Sequence, residues 1–506
     1  MSTEQKIKLL SGKSISYNTK HGAEIYRRSL IVLLQAAINK IYPDMKTQVG
    51  QTLMHGYYFE VVNREKLPPD FVRQVSDQMK SEVEQNKKFR RETFSREKAI
   101  ELFSREGRID KVRALSCLEN DKIELVFLNG YYDYMLTECI ENTGTLKTFN
   151  LIGYNHGFIL QFPVRGNIGE LPSSPSRQEN LYKVYMEKKQ WDEILGVRHV
   201  ADLVQLIESG ETGRLIKIQE AFHEKKIETI AGQIKELYPA RRIIFIAGPS
   251  AAGKTTFIKR LAIAMRVEGL VPHEISLDDY FLPRNKTPRT SDGDYDFESV
   301  KALDLDLFKD NITRLLEGEK VNIPEFDFKT GHRKNKDRHM ILEENSVILI
   351  EGIHGLNPIL TAGIEKKESF GIFVSSLTQL CIDSDTRIFT SDSRLMRRII
   401  RDNLFRGYSA YDTIKRFPKV RLGEDRYIFP YQARADLFFN SSLIYEQAVL
   451  KPHLVKLLKG IKKEDNGFYE ARRLLSYLGY FRTIPAEPVP DNSILREFIG
   501  KSFFNY

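Results

Sequence analysis

The run Gly248-Pro249-Ser250-Ala251-Ala252-Gly253-Lys254-Thr255 fits G-x-x-x-x-G-K-[ST], and Thr256 follows it. This pattern suits polyphosphate. Small residues let backbone N–H groups wrap an anion, and a helix N-terminus adds partial positive charge. Lys254 is spaced to neutralise β- and γ-phosphate oxygens, and the Thr255 hydroxyl to sit on Mg2+. The expected cofactors are therefore ATP and Mg2+.

Two carboxylate positions come next. Ser276-Leu277-Asp278-Asp279-Tyr280-Phe281 closes one apolar run, and Glu351-Gly352 closes another, Ser346 to Ile350. A carboxylate at such a strand end can accept the proton of an attacking hydroxyl or help to hold Mg2+. It can also be a plain helix cap. Arg394, Arg397, Arg398 and Arg401 then recur at helical spacing, which places them on one helix face. Their forked guanidinium groups suit phosphate oxygens, and the face is expected to close over a transferring group as a lid. Arg394 and Arg398 are assigned to catalysis, Arg397 and Arg401 to ATP. No N-K-x-D motif follows, which argues against a guanine-specific switch.

These residues need a sheet edge to hold them. From residue 240 onward, short apolar runs (IIFIA, EISL, VILIEG, GIFVSS) alternate with helical patterns. Alternation of this kind predicts a parallel sheet with crossover helices, whose strand carboxyl ends carry the ligand site. The strand Ile243 to Ala247 should lead into the phosphate loop and the helix Lys254 to Arg266 out of it. Before residue 171 the pattern is α+β, with a helix over Tyr26 to Ile41 and strands over Glu124 to Leu128 and Phe158 to Phe162. A turn-rich run over residues 165–175 ends that region. Leu181 to Leu237 reads as a helical connector. The fold class is α/β: a P-loop NTPase-type parallel-sheet domain preceded by an α+β domain and a helical connector. The expected boundaries are 1–170, 171–239, 240–450 and a helical C-terminal extension over 451–506.

Composition narrows the class. With 506 residues, 30 Phe and 23 Tyr, the chain has ample core material and is not intrinsically disordered. Three cysteines, far apart and in no C-x-x-C pair, support neither a disulfide framework nor a zinc ribbon. The N-terminus lacks a signal-peptide core, and the apolar run Ser29 to Ile38 is about half of the ~20 residues a membrane span needs. A cytoplasmic, soluble protein with no membrane partner is expected. The net charge is +9, and residues 394–434 alone hold eleven Lys/Arg against four Asp/Glu. The positive excess thus sits in the phosphate lid, which argues against a nucleic-acid surface.

GPSAAGKT, SLDDYF, YDFES, IPEFDF, VILIEG and DSRLMRRIIRD, in this order over roughly residues 240 to 450, resemble the uridine kinase and phosphoribulokinase family. The resemblance implies an ATP-dependent kinase. In that family the Asp after the second strand deprotonates a ribose 5′-hydroxyl, and it matches Asp278; the ribose-contacting Asp matches Asp296. The substrate-binding set it implies is Asp278, Tyr280, Asp296, Phe326 and Arg333, with Thr255 and Glu351 at the metal. The pyrimidine-contacting Tyr and His of uridine–cytidine kinases are not matched cleanly. Here the segment is Phe326-Asp327-Phe328, with His332 displaced by one position. A nucleoside hydroxyl is better supported as the acceptor than uracil is as the base.

The N-terminal region, roughly residues 20 to 220, resembles the editing domain of threonyl-tRNA synthetase. Ile41-Tyr42-Pro43, the stretches His55 to Phe59, Phe89 to Glu92 and Ser95 to Phe103, then Thr143-Gly144 and Phe149 carry the likeness. The family's H-x-x-x-H and C-x-x-x-H pairs fall on Val32 and Ala36, and on Met135 and Cys139. Such residues cannot run the hydrolysis, so the domain is expected to serve binding or scaffolding. His55 and His156 read as loop or structural histidines.

The expectation is ATP-dependent phosphoryl transfer to the 5′-hydroxyl of a small nucleoside, uridine foremost, by a homo-oligomer. One rival is transfer to another nucleoside or to a phosphorylated sugar. Another is an RNA-binding regulator that uses ATP as a switch. Its contact face would be Lys87 to Arg113, but residues 82–113 carry ten basic and seven acidic side chains, more like a solvated helix than a phosphate track.

Overall fold

The computed structural model describes residues 5–505 apart from 165, 174–177, 291, 292, 328, 329, 335, 336 and 379. Phe328 and parts of the turn-rich run 165–175 therefore lie outside the described residues. Two compact units form, and neither is a continuous stretch of chain. The N-terminal unit comprises residues up to Gly210, Gln379–Phe389 and Phe468–Arg482. The second unit comprises Glu211–Thr378, Thr390–Gly467 and Thr483–Tyr506.

This division cuts across the four linear segments expected from the sequence. Of the expected connector, helices Glu179–Leu195 and Val200–Glu208 join the N-terminal unit, and the 26-residue helix Thr212–Leu237 joins the other. The C-terminal extension is split in the same way. The cause is long-range pairing. Arg387 donates to Gly50 O at 2.6 Å, and Lys20 pairs with Glu470 at 2.6 Å. Partners hundreds of residues apart leave no local pattern.

In the N-terminal unit, Thr19 caps the helix Lys20–Ile41 by accepting from the Gly22 N–H at 3.0 Å. Every residue from Ser29 to Gln35 on that helix is buried, which takes in all of its faces, as befits a helix packed on several sides. Around it lie a four-stranded antiparallel sheet (Thr47–Leu53, Gly56–Val61, Gly157–Gln161, Asn150–Tyr154) and a three-stranded one (Arg90–Ser95, Lys122–Leu128, Tyr131–Tyr134). Val32 and Cys139, at the positions of the missing hydrolytic residues, are core side chains, and Cys139 Sγ rests 3.1 Å from Ser29 Oγ. The small hairpin Cys381–Asp383 with Thr386–Arg387 supplies counter-charge to a buried cation. Lys111 Nζ lies 3.1 Å from Asp133, 2.8 Å from Asp383 and 2.9 Å from Asp385.

The second unit holds a five-stranded parallel sheet: β1 (Ile243–Ala247), β2 (Val271–Ser276), β3 (Ser346–Glu351), β4 (Ser369–Ser375) and β5 (Leu437–Asn440), in the order β2-β3-β1-β4-β5. β1 is buried throughout, which explains its unbroken apolar run in place of alternation. β5 is the one strand of this sheet that the sequence pattern did not announce. Helix α1 (Lys254–Val267) follows β1, and α2 (Thr390–Arg406) and α3 (Ala410–Tyr427) carry ten of the eleven basic residues of the stretch 394–434. Register sets the site. Glu351 lies beside Ser276 on one neighbour and beside Ile246 on the other. The phosphate loop, Asp278 and Glu351 therefore leave the sheet at the same carboxyl edge.

Candidate active site

Two glycines shape the phosphate loop. A Cβ on Gly248 would stand 2.1 Å from Val374 O of β4, so the chain can turn there only without a side chain. Gly253 has φ of +83° at the start of α1, and a Cβ on it would meet Ile494 Cγ2 at 2.5 Å. Between them Ala251 holds a left-handed φ of 59°, which costs about 1–2 kcal/mol for a residue with a Cβ. Backbone strain of this kind persists where the surroundings fix it.

The surroundings here are the arginines of α2. Arg394 donates to Ser250 O at 3.2 Å and is held by both oxygens of Glu424, Nη2 to Oε2 at 2.7 Å. Glu424 in turn accepts from the Ser250 N–H at 3.2 Å. Arg397 donates to Ala251 O at 3.5 Å and Ser441 O at 2.9 Å, and pairs with Glu446 through Nε at 3.1 Å and Nη2 at 2.5 Å. Ser441 Oγ closes the set by donating to Ala252 O at 2.5 Å. The loop is thus tied from behind at three successive carbonyls.

This corrects the expected lid. Arg394 and Arg397 are fully buried, and they brace the loop instead of covering it. Arg398 donates to Ser250 Oγ at 3.0 Å and shares Asp402 with Arg401. Arg401 and Arg406 face the cleft electrostatically: both lower the pKa of Asp278. Helical spacing gave one face, but the acids that neutralise it lie 30 and 49 positions away.

Lys254 Nζ lies 3.3 Å from Pro249 O and 3.5 Å from Glu351 Oε1. Burial pushes the Glu351 carboxyl up to about 7; Lys254 opposes the rise, and Asp278 and Glu497 add to it. Part of the Asp278 side chain reaches solvent, but the protein packed around its carboxyl desolvates it and raises its pKa, with Lys254, Arg406 and Arg401 opposing the rise. Thr255 is half-buried beside Lys254. Thr256 does not face a phosphate: its hydroxyl donates to Glu497 at 2.9 Å, and its N–H to the same oxygen at 3.2 Å.

The expected acceptor-side residues separate. Asp296 accepts from the Tyr427 hydroxyl at 3.3 Å. Phe326 and Arg333 are register partners on a short hairpin, with the Phe326 ring 5.8 Å from that of Phe281 and Arg333 paired to Asp304 at 2.8 Å. Asp279 accepts from the Phe326 N–H at 3.2 Å and pairs with Arg338 at 3.2 Å, which anchors that hairpin. Tyr280 is a correction. Its side chain is fully buried, its hydroxyl accepts from Asn311 Nδ2 at 3.1 Å, and it cannot touch a ligand.

Sequence reasoning missed Glu298. Burial and the charge of Glu424 push its carboxyl up to about 7, with Asp278 and Asp296 adding and Arg398 opposing. Its place two residues after Asp296 was the available signal. Carboxylates with perturbed pKa values, a near-buried lysine and a small-residue anion loop at one sheet edge form a site suited to phosphoryl transfer.

Comparison with known proteins agrees with this arrangement. The model for the phosphoribulokinase / uridine kinase family matches residues 243–444. Threonine–tRNA ligases match the N-terminal part. That of Oceanobacillus iheyensis is 27% identical over 185 residues, covering 36% of this chain and 27% of the ligase. The chain spans about a quarter or less of the length of such ligases. The uridine kinase of Saccharomyces cerevisiae is 29% identical over 202 residues, 39% of this chain and 36% of that one. Uridine-cytidine kinase B of Dictyostelium discoideum is 31% identical over 196 residues, 38% of this chain and 72% of that protein. On the matched family region and this coverage, the chain belongs to the phosphoribulokinase / uridine kinase family.

Proposed function

We propose that the protein is an ATP-dependent kinase that phosphorylates the 5′-hydroxyl of a nucleoside, with uridine the foremost substrate. The observation that carries this is the meeting of Lys254, Glu351 and Asp278 at one sheet edge, with Lys254 acting on the charge of both carboxylates. The loop cradle, closed to any side chain at Gly248 and Gly253, fits a triphosphate. Thr255 and Glu351 supply the hard oxygen donors that suit Mg2+, which takes few protein ligands when a nucleotide is present. When bound, Mg2+ would neutralise charge on the phosphate oxygens.

The residues then divide the work. The Lys254 side chain and the N–H groups of Lys254 and Thr255 at the start of α1 hold the β- and γ-phosphates. Asp278 accepts the proton of the 5′-hydroxyl as that oxygen bonds to the γ-phosphorus and the bond to the ADP oxygen breaks. Asp296 orients the ribose, and Arg398 and Arg401 add positive charge around the phosphates. Arg394 and Arg397 keep the loop in shape. A loose transition state asks mostly for positioning and charge stabilisation.

The test is ADP release from purified protein with Mg·ATP, run against a panel of nucleosides and phosphorylated sugars. Turnover on uridine or another nucleoside is expected. Turnover on sugar phosphates alone, or silence on every nucleoside, rejects the reading.

A further inference from the structure

The N-terminal unit contains a cavity of about 40 Å3 between the helix Lys20–Ile41 and the segment Asp385–Arg387. One water needs about 10–15 Å3 on this measure, so the space takes a few waters or one small polar group. Its wall carries three arginines, Arg27, Arg28 and Arg387, against two carboxylates, Glu24 and Asp385. Both carboxylates are engaged by cations outside the wall. Glu24 lies 3.4 Å from Arg473 and 3.7 Å from Lys20, and Asp385 lies 2.9 Å from Lys111. Arg28 is likewise engaged outside the wall, 3.5 Å from Asp133, so the excess of guanidinium charge that the cavity faces comes from Arg27 and Arg387.

Three polar atoms of this wall are buried without a hydrogen-bond partner: Arg27 Nε, Arg28 Nε and Thr386 Oγ1, the last on a side chain only 4% exposed. A buried donor left unmade costs about 1–3 kcal/mol, and several around one cavity call for a common acceptor. Arg27 is also pre-oriented, with its guanidinium 5.0 Å above the Phe162 ring. Planar guanidinium donors match the oxygens of a carboxylate or a phosphate. We propose that this cavity binds a small oxyanion group, a carboxylate or a phosphate borne by a metabolite. The site is separate from the phosphate loop and does not depend on the kinase reading.

Calorimetric titration of the full-length protein tests it, with inorganic phosphate and malonate as separate probes. A non-hydrolysable ATP analogue with Mg2+ is present throughout to occupy the phosphate loop. Saturable binding of either probe is expected, and the probe that binds identifies the group. Losing one charge-assisted hydrogen bond should weaken it about tenfold or more in Arg27→Gln, and Thr386→Val should weaken it about threefold or more. If Arg27→Gln does not fold, the near-isosteric Thr386→Val decides alone. The site does not exist if neither probe binds saturably, or if both variants bind as tightly as the parent. Because the readout is binding and its dependence on Arg27 and Thr386, failure of the kinase reading leaves it interpretable.

Discussion

Arg394 and Glu424 form a fully buried two-point ion pair directly behind the phosphate loop, and each also touches the Ser250 backbone, one at O and the other at N–H. Burial lowers the Arg394 pKa to about 10, with Glu424 opposing that fall. The pair is worth little by attraction alone, since desolvation offsets it, but an orphaned member would be costly. Glu424→Gln is expected to cost about 3–5 kcal/mol of unfolding free energy and to weaken ATP binding as Ser250 loses its support. Urea denaturation and nucleotide titration check both. Unchanged stability would mean that the pair opens in solution.

Tyr280→Phe separates position from contact. The hydroxyl is buried on Asn311, so the change should cost about 1 kcal/mol of stability and leave the KM for the acceptor unaltered. A severalfold rise in KM with unchanged stability would return Tyr280 to the substrate-binding set. Denaturation midpoints and acceptor saturation curves supply the two numbers.

The same contrast explains what was legible beforehand. Gly248 to Thr255, Asp278 and Glu351 declare themselves because each sits at the end of an apolar strand, and strand ends of a parallel sheet share one edge. Arg394 and Arg397 were visible as a helical face, but their roles were not. Glu424 and Glu446 sit on later elements, and only tertiary packing delivers them. Nor could the chain announce that Asp383 and Asp385, embedded in the kinase-like region, serve Lys111 of the N-terminal unit. Periodicity reports which face is apolar; it does not report which distant charge will meet it.

Glu298 gives a pH signature with a definite sign. Its carboxyl is raised to about 7 from an ordinary 4.5, so the folded protein holds this proton more tightly than the unfolded chain. Stability from the group is complete below pH 4.5 and is lost as pH rises through 7. Glu298→Gln should therefore stabilise the protein at pH 8, on the order of 1–2 kcal/mol given its partial exposure, and change little at pH 4.5. Denaturant midpoints at the two pH values check this. A gain that is equal at both would trace to packing and not to charge.

Asp278 and Lys254 are predicted to fail in different ways. Asp278→Asn keeps shape and removes the proposed proton acceptor, so kcat should fall by about 10²–10⁴ while ATP affinity holds. In the parent, kcat/KM should decline as acid protonates Asp278, along a limb displaced upward from the ordinary value near 3.9, because desolvation outweighs Lys254, Arg406 and Arg401. Asp278→Asn should lose that limb. Lys254→Met removes the cation beside Glu351 and the charge proposed to meet the β- and γ-phosphates, so both ATP affinity and turnover should drop, turnover by about 10³. Steady-state kinetics across pH 4 to 9, with nucleotide titration of each variant, distinguish the two losses. Near-parental turnover in Asp278→Asn would remove it as the base, and Glu298, a further raised carboxylate that interacts electrostatically with Asp278, would be the residue to replace.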